Sequence, residues 1–302
     1  MPTGIGERNL ELMYRWTHRI SPEERQKWEE RLERDSMLGI LLEEEGRSQE
    51  GKEYRVTGFF ETWAEGKRYQ AEFGGEVSEV DPDDWVKESQ KRMEGEHALF
   101  GKKFLVVWDP SAEEAKRLGE LHPERELLHI PPECAFGTGD HETTSHCLRS
   151  LEQFAGDREG ECWAHLDLGT GTGILALAAQ RLGAGSVVGV ELDPVAYRVA
   201  WQNARRNGEN IEWIEADVLE WEPGGRTFDW ISANLYSGIL TELLPRVGGW
   251  LREEGVLCLS GILVTQREEV GEVALAEGFF LQEEFVEGNW VTGLWKRAEV
   301  AE

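Results

Sequence analysis

From Ala164 onward the chain alternates short apolar runs with amphipathic helical patterns, and no other feature restricts its fold as strongly. The runs AHLDL, SVVGVEL, IEWIEAD, FDWISAN and GVLCLSGIL are interleaved with ILALAAQRLG, PVAYRVAWQNARRNG and ILTELLPRVGGWL. Strand and helix alternating at this spacing is a βαβ series. It predicts a parallel sheet with helices on both faces. The closing runs FFLQEEFVEGN and WVTGLWKR predict an antiparallel hairpin at the sheet edge.

The first part of the chain has a different pattern. Residues 9–16 read as a strand, and Ser21-Pro22-Glu23-Glu24 as a helix start, with Ser at the N-cap, Pro at N1 and Glu at N3. That helix is expected to run through Trp28 and Leu32 to about Asp35. Strands are expected over 38–43, 54–62, 103–108 and 127–130, and a helix over 83–93. The mixture lacks a βαβ repeat, so the first 108 residues suggest a small α+β domain. Residues 109–124 are polar, partly helical, and read as a linker to a second domain over 125–302. A length of 302 residues suits two domains, at roughly 150 residues each.

Composition narrows the function classes. There are 59 acidic and 32 basic residues, a net charge of −27, so a broad basic nucleic-acid surface is not expected. A basic protein substrate is attracted by such a surface, at a rate that added salt reduces. Only nine of the basic residues are Lys. An adaptation to high-salt cytosol and an ordinary solvated acidic surface both fit that bias. No signal peptide is expected, since the N-terminus lacks a basic region followed by an apolar run, and no membrane span, since no apolar stretch reaches 18 residues. Cys134, Cys147, Cys162 and Cys258 form no CxxC pair, which argues against structural zinc and a disulfide framework. A cytoplasmic protein is the expectation.

The chemistry gathers at the predicted strand ends. In HLDLGTGTGILALAA, Asp167 precedes Gly169, Gly171 and Gly173, and a helix begins at once. Glycines at a strand-to-helix turn accept positive φ and let the backbone approach a ligand. The third glycine comes one residue too early for G-x-G-x-x-G, which lowers the dinucleotide reading. A nucleoside ligand without phosphates, such as S-adenosylmethionine, fits better, with Asp167 near its cationic methionine end. Glu191, at the end of the next strand, is placed to accept ribose hydroxyls. Asp193, before Pro194, reads as a helix cap. Asp217 either faces adenine or is an ordinary turn residue. Asn234 ends the fourth strand and offers an amide acceptor to an incoming amine while its NH₂ is held elsewhere. All of them fall at the carboxyl edge, where open α/β sheets bind ligands. His141 and His146 stand five apart, whereas a zinc helix needs i and i+4, so the metal reading is poor.

The run AFGTGDHETT over 135–144, followed by DLGTGTGILALAA, VVGVELDP, ISANL and LSGIL, resembles the ribosomal protein L-11 methyltransferases (PrmA type). The likeness spans about residues 81–297, with DDWVKESQKRM and FGKKFLVVW at its start. AFGTGxHxTT carries its specificity; the glycine motif alone marks only Rossmann-like methyltransferases. The resemblance implies a seven-stranded Rossmann-like domain, with S-adenosylmethionine held by residues matching Thr144, Gly169, Glu191 and Asn234. It implies a ferredoxin-like N-terminal domain that grips the substrate, and methyl transfer to amines of ribosomal protein L-11. The enzyme is expected to be a monomer, and its charge and apolar pattern give no expectation of a nucleic-acid or membrane partner. A methyltransferase for another protein's lysines or for a small molecule is the alternative. A non-catalytic module that keeps the fold is the third reading. Asp140 and Glu142 replace the family's usual Thr and Pro, Thr170 and Thr172 its Cys and Ser, and Glu191 its Asp. His141 is a candidate proton acceptor, or simply bonds its own loop.

Overall fold

A computed structural model describes residues 13–21, 24, 28, 39–48, 51–60, 62–80, 97–108, 110–131 and 142–297. Outside them lie the expected strand's residues 9–12, most of the helix expected over 22–35, the helix expected over 83–93, and Asp140 and His141. The chain divides into two compact units, Met1–Glu88 and Ser89–Glu302.

The first unit holds strands β1 (Met13–Ile20), β2 (Gly39–Ser48) and β3 (Gly51–Phe60), helix α1 (Trp63–Phe73) and strand β4 (Glu76–Val80). Its sheet order is β2-β3-β1-β4, each neighbour antiparallel. The third strand thus lies between the first two, as in a split βαβ arrangement. The core is aromatic: buried Trp16 packs 5.3 Å from Trp28 and 5.4 Å from Tyr69, and its indole donates to the Gly74 carbonyl. Ser21 and Glu24 make the expected cap contacts, and the Trp28 N–H donates to the Glu24 carbonyl. Helix α1 was not expected, although a capping box starts it: Thr62 accepts from the Glu65 N–H, and Glu65 returns the bond.

The second unit opens with a three-stranded sheet of β5 (His97–Phe100), β6 (Phe104–Val107) and β7 (Glu126–His129). Strands β6 and β7 are parallel, and helix α2 (Ala112–Leu121) crosses between them. This corrects the linker reading of 109–124 and moves the division from residue 108 to 88/89. Phe104, Val106, Leu128 and Ile130 share one core with Leu148 and Leu151 of helix α3 (Glu142–Gly156), so these strands cannot belong to the first unit.

The main sheet contains β8 (Ala164–Leu168), β9 (Ser186–Glu191), β10 (Glu212–Glu215), β11 (Phe228–Asn234), β12 (Leu251–Leu263), β13 (Phe279–Glu287) and β14 (Trp290–Arg297). Its order is β10-β9-β8-β11-β12-β14-β13, parallel through β12 and then antiparallel. Helices α4 (Ile174–Arg181), α5 (Pro194–Arg206), α6 (Ser237–Val247) and α7 (Arg267–Ala276) complete the unit. One face packs on α3 and α4 through Leu148, Ala176, Val187 and Trp230; the other packs on α6 and α7 through Leu166, Ile231, Leu243 and Val270. The seven-stranded Rossmann-like expectation and the terminal hairpin agree with this architecture. Strand order reverses between β8 and β11, which opens a crevice beyond their carboxyl ends. Among the described residues, no helix is long and apolar enough to cross a membrane.

Candidate active site

The turn after β8 is held open by three left-handed residues, Gly169, Gly171 and Gly173, with φ of 67°, 56° and 80°. A side chain at the first would overlap Leu235 Cδ2, and one at the third would meet Trp213 at 2.8 Å. At these two positions glycine serves close packing as well as backbone conformation. The turn is tied down from below: the Gly169 and Thr170 N–H groups both donate to the Val190 carbonyl. Fully buried Asn203 on α5 donates to the Thr172 carbonyl at 2.9 Å. The sequence did not single out Asn203, because its partner is 31 residues away and only the fold joins them.

Glu191 ends β9 beside this turn. It accepts from the Gly171 N–H at 2.9 Å and from the Asp193 N–H at 3.1 Å. Asp193 caps α5 as expected, accepting from the Val195 N–H. Asp217, after β10, accepts from the Leu219 N–H at 2.9 Å, the contact of a turn residue.

Asp167, Thr144, Gly169 and Asn234 meet around a cavity of about 20 Å³, with Thr170 and the start of α4. That is room for one water-sized group. Glu191 and Asp217 do not border it. Thr144 comes from the first turn of α3 and Asn234 from the end of β11. The Asn234 Nδ2 donates to Thr143 Oγ1 at 3.3 Å. Asn234 Oδ1 and Thr144 Oγ1 are buried with no hydrogen-bond partner among the described residues. An unpaired buried oxygen costs roughly 1–3 kcal/mol, so the two mark where polar ligand atoms belong. The donor set therefore fits a ligand with a polar, amine-bearing end in the cavity and hydroxyls near Glu191.

Under the cavity, buried Asp167 accepts from the Thr170 hydroxyl at 2.5 Å. Burial pushes its carboxyl from 3.8 up to about 7, against the pull of the Thr170 hydroxyl and the Ala176 N–H, and with a further push from Glu191. Two residues earlier on the same face, fully buried His165 bonds Ser232 Oγ at 2.9 Å, and burial alone holds its imidazole down at about 3. The two act on stability with opposite signs. The Asp167 contribution is whole below 3.8 and is lost as pH rises toward about 7. The His165 contribution is present above 6.5 and is lost as pH falls toward about 3. The Asp167→Asn variant should therefore gain in Tm over the parent as pH rises from 3.8 to about 7, and hold that gain above it. Calorimetric melting of both proteins across that range measures it; a constant difference in Tm would mean that Asp167 ionises in the folded protein as it does in the unfolded chain.

A wider groove, about 490 Å³, lies at the other end of the strands, among Gly156, Cys162, Trp163 and Gly183. Its arginines are engaged: Arg181 Nε is 2.6 Å from Glu209, and Arg158 lies 4.1 Å over the Phe154 ring. No predicted site residue borders it. His146, set aside as a metal ligand, faces Glu287 of β13 at 2.8 Å.

Comparison with known proteins points one way. A model of the family described as ribosomal protein L11 methyltransferase (PrmA) matches residues 17–298. The ribosomal protein L11 methyltransferase of Pelobacter propionicus is 36% identical over 223 residues, 74% of this chain and 69% of that protein. That of Caldanaerobacter subterraneus subsp. tengcongensis is 36% identical over 225 residues, covering 74% of this chain and 67% of that protein. A solved structure of the ribosomal protein L11 methylase from Lactobacillus delbrueckii subsp. bulgaricus superposes with a TM-score of 0.55 at 26% identity, over 67% of this chain and 99% of that one.

Proposed function

The chain belongs to the ribosomal protein L11 methyltransferase (PrmA) family, and from that premise we propose that it transfers a methyl group from S-adenosylmethionine to lysine or other amino groups of ribosomal protein L11. The observation that carries the reading is the pair of buried oxygens, Thr144 Oγ1 and Asn234 Oδ1, without partners among the described residues, at the carboxyl edge beside the glycine turn.

When bound, S-adenosylmethionine supplies an electrophilic methyl carbon on a sulfonium, with a neutral thioether as leaving group. The protein's task is alignment and exclusion of water. Glu191 offers its carboxylate to the ribose hydroxyls, the glycine turn its backbone, and Thr144 its hydroxyl. Asp167 sets the charge beneath the cavity. Asn234 Oδ1 accepts an N–H from the incoming amine and turns the nitrogen lone pair toward the methyl carbon. A lysine amine, ordinarily near 10.4, must arrive neutral. Desolvation beside a cation lowers that value, so no strong base is needed. His141 lies outside the described residues and has no assigned step.

The family resemblance gives substrate capture to the first unit, Met1–Glu88, and its split βαβ sheet order supports a ferredoxin-like reading. The second unit contains every cofactor residue named above. The enzyme is read as a monomer.

Glu191→Ala should weaken S-adenosylmethionine binding by about 10- to 150-fold, the worth of hydrogen bonds to a charged acceptor at roughly 1.5–3 kcal/mol. Calorimetric titration reads it, and unchanged affinity with an intact fold would place the ribose elsewhere. Substrate identity is tested with labelled cofactor and purified ribosomal protein L11. Labelled lysine in that protein supports the assignment. Label in another band of a cell lysate, with L11 unlabelled, moves it to the alternative target.

A further inference from the structure

The carboxamide of Asn234 has two ends, and only one helps an amine to attack. An acceptor oxygen facing the substrate takes an N–H and leaves the nitrogen lone pair free. An NH₂ facing it would compete with the substrate's own donors. Something must therefore decide which end faces the cavity, and two residues outside the predicted site meet the two ends.

The first is Thr143, buried at 1% exposure in the first turn of α3. Its Oγ1 lies 3.3 Å from Asn234 Nδ2, across 91 residues of chain. The second is Gly261, in β12, at a register shift between Leu259 and Ile262 against β14. Its φ is +80°, and a Cβ there would stand 3.1 Å from Asn234 Oδ1 and 2.7 Å from the Leu235 carbonyl oxygen. The preceding residue fixes this approach. The Ser260 carbonyl accepts from the Leu235 N–H at 3.1 Å, and the Ser260 hydroxyl is bonded to Thr292 at 2.6 Å in the core. The irregular strand thus brings a residue without a side chain against the acceptor end of the amide.

We propose that Thr143 and Gly261 are positioning residues that set the amide orientation of Asn234: the Thr143 hydroxyl holds the NH₂, and the missing side chain at Gly261 leaves room for Oδ1 in the orientation that this bond sets. The inference rests on the reading of Asn234 as the residue that orients that amine. It adds two residues that touch neither cofactor nor substrate.

The test uses the full chain with S-adenosylmethionine and purified ribosomal protein L11, measuring kcat, the KM for protein and the cofactor Kd. Thr143→Val keeps the shape and removes the hydroxyl. It should lower kcat about tenfold, the worth of one hydrogen bond, with cofactor Kd unchanged. Thr143→Ser returns the hydroxyl and should restore kcat to within about twofold of the parent. In an Asn234→Ala background, Thr143→Val should lower kcat no further, because the group it orients is gone. Gly261→Ala should lower kcat in the same way, again with Kd unchanged. Should its left-handed backbone prevent folding, the Thr143 variants decide alone. Three results overturn the proposal: parental kcat in Thr143→Val, an equal loss in the Asn234→Ala background, or no rescue by Ser. If Asn234→Ala itself keeps parental kcat, the reading of Asn234 fails and takes the proposal with it. If Asn234→Ala is impaired while Thr143→Val is not, only the clamp fails.

Discussion

The Asn234→Ala variant is expected to lower methyl transfer by about two orders of magnitude, the scale set by a misplacement of about 1 Å at a reacting centre. The side chain ends β11 at the cavity, and its oxygen has no partner among the described residues. The fold therefore gains little from that oxygen and should not miss it. Its NH₂ makes one long bond, 3.3 Å, to Thr143, so Tm should move by no more than one weak hydrogen bond implies. The expected signature is a large fall in kcat beside a small change in Tm. Steady-state assay and calorimetry on the same preparation measure both. Turnover within about twofold of the parent, less than one hydrogen bond, would remove Asn234 from the mechanism.

A fragment beginning at residue 89 should still bind S-adenosylmethionine and should lose efficient methylation of ribosomal protein L11. The second unit, Ser89–Glu302, has its own two-sided core and every cofactor residue proposed above. Domains of this size usually fold alone when few contacts cross the boundary. The cut matters. Starting at 109 would remove β5 and β6 and take Phe104 and Val106 out of the core around α3. Such a fragment would fail through instability and say nothing about substrate capture. Calorimetry with the cofactor, and parallel assays of full chain and fragment on L11 and on a free amine, separate binding from capture. Equal methylation of L11 by both would remove the capture role from the first unit.

The main sheet was legible because its central strands are buried on both faces and read as continuous apolar runs. Every residue of β8 is buried, and its alternation with glycine turns and helical patterns left one reading. Helix α3 was not legible. Its first turns bury Thr143, Thr144, Ser145 and His146, so polar residues occupy positions where an apolar stripe would announce a helix. Helix α2 was read as a linker for the opposite reason: only Leu118 among its ten residues is buried, and a charged surface helix resembles a tether. Of the site, Asp167, Gly169, Glu191 and Asn234 could be found by position, since each stands at or just after a strand end. Thr143, Asn203 and Gly261 act through partners far along the chain, and no local pattern marks them.

The sheet order also has a consequence for synthesis. β14 lies between β12 and β13, yet it emerges after both. Until it does, β12 offers an unpaired edge carrying Leu257, Cys258 and Leu259, all buried in the finished protein. An apolar strand edge in a growing chain is a template for wrong pairing. The Ser260–Thr292 bond behind Gly261 forms only when β14 arrives. The backing of Gly261, beside Asn234, is thus among the last parts of the unit to be assembled, so a nascent chain paused before β14 holds Asn234 without the bond behind its neighbour.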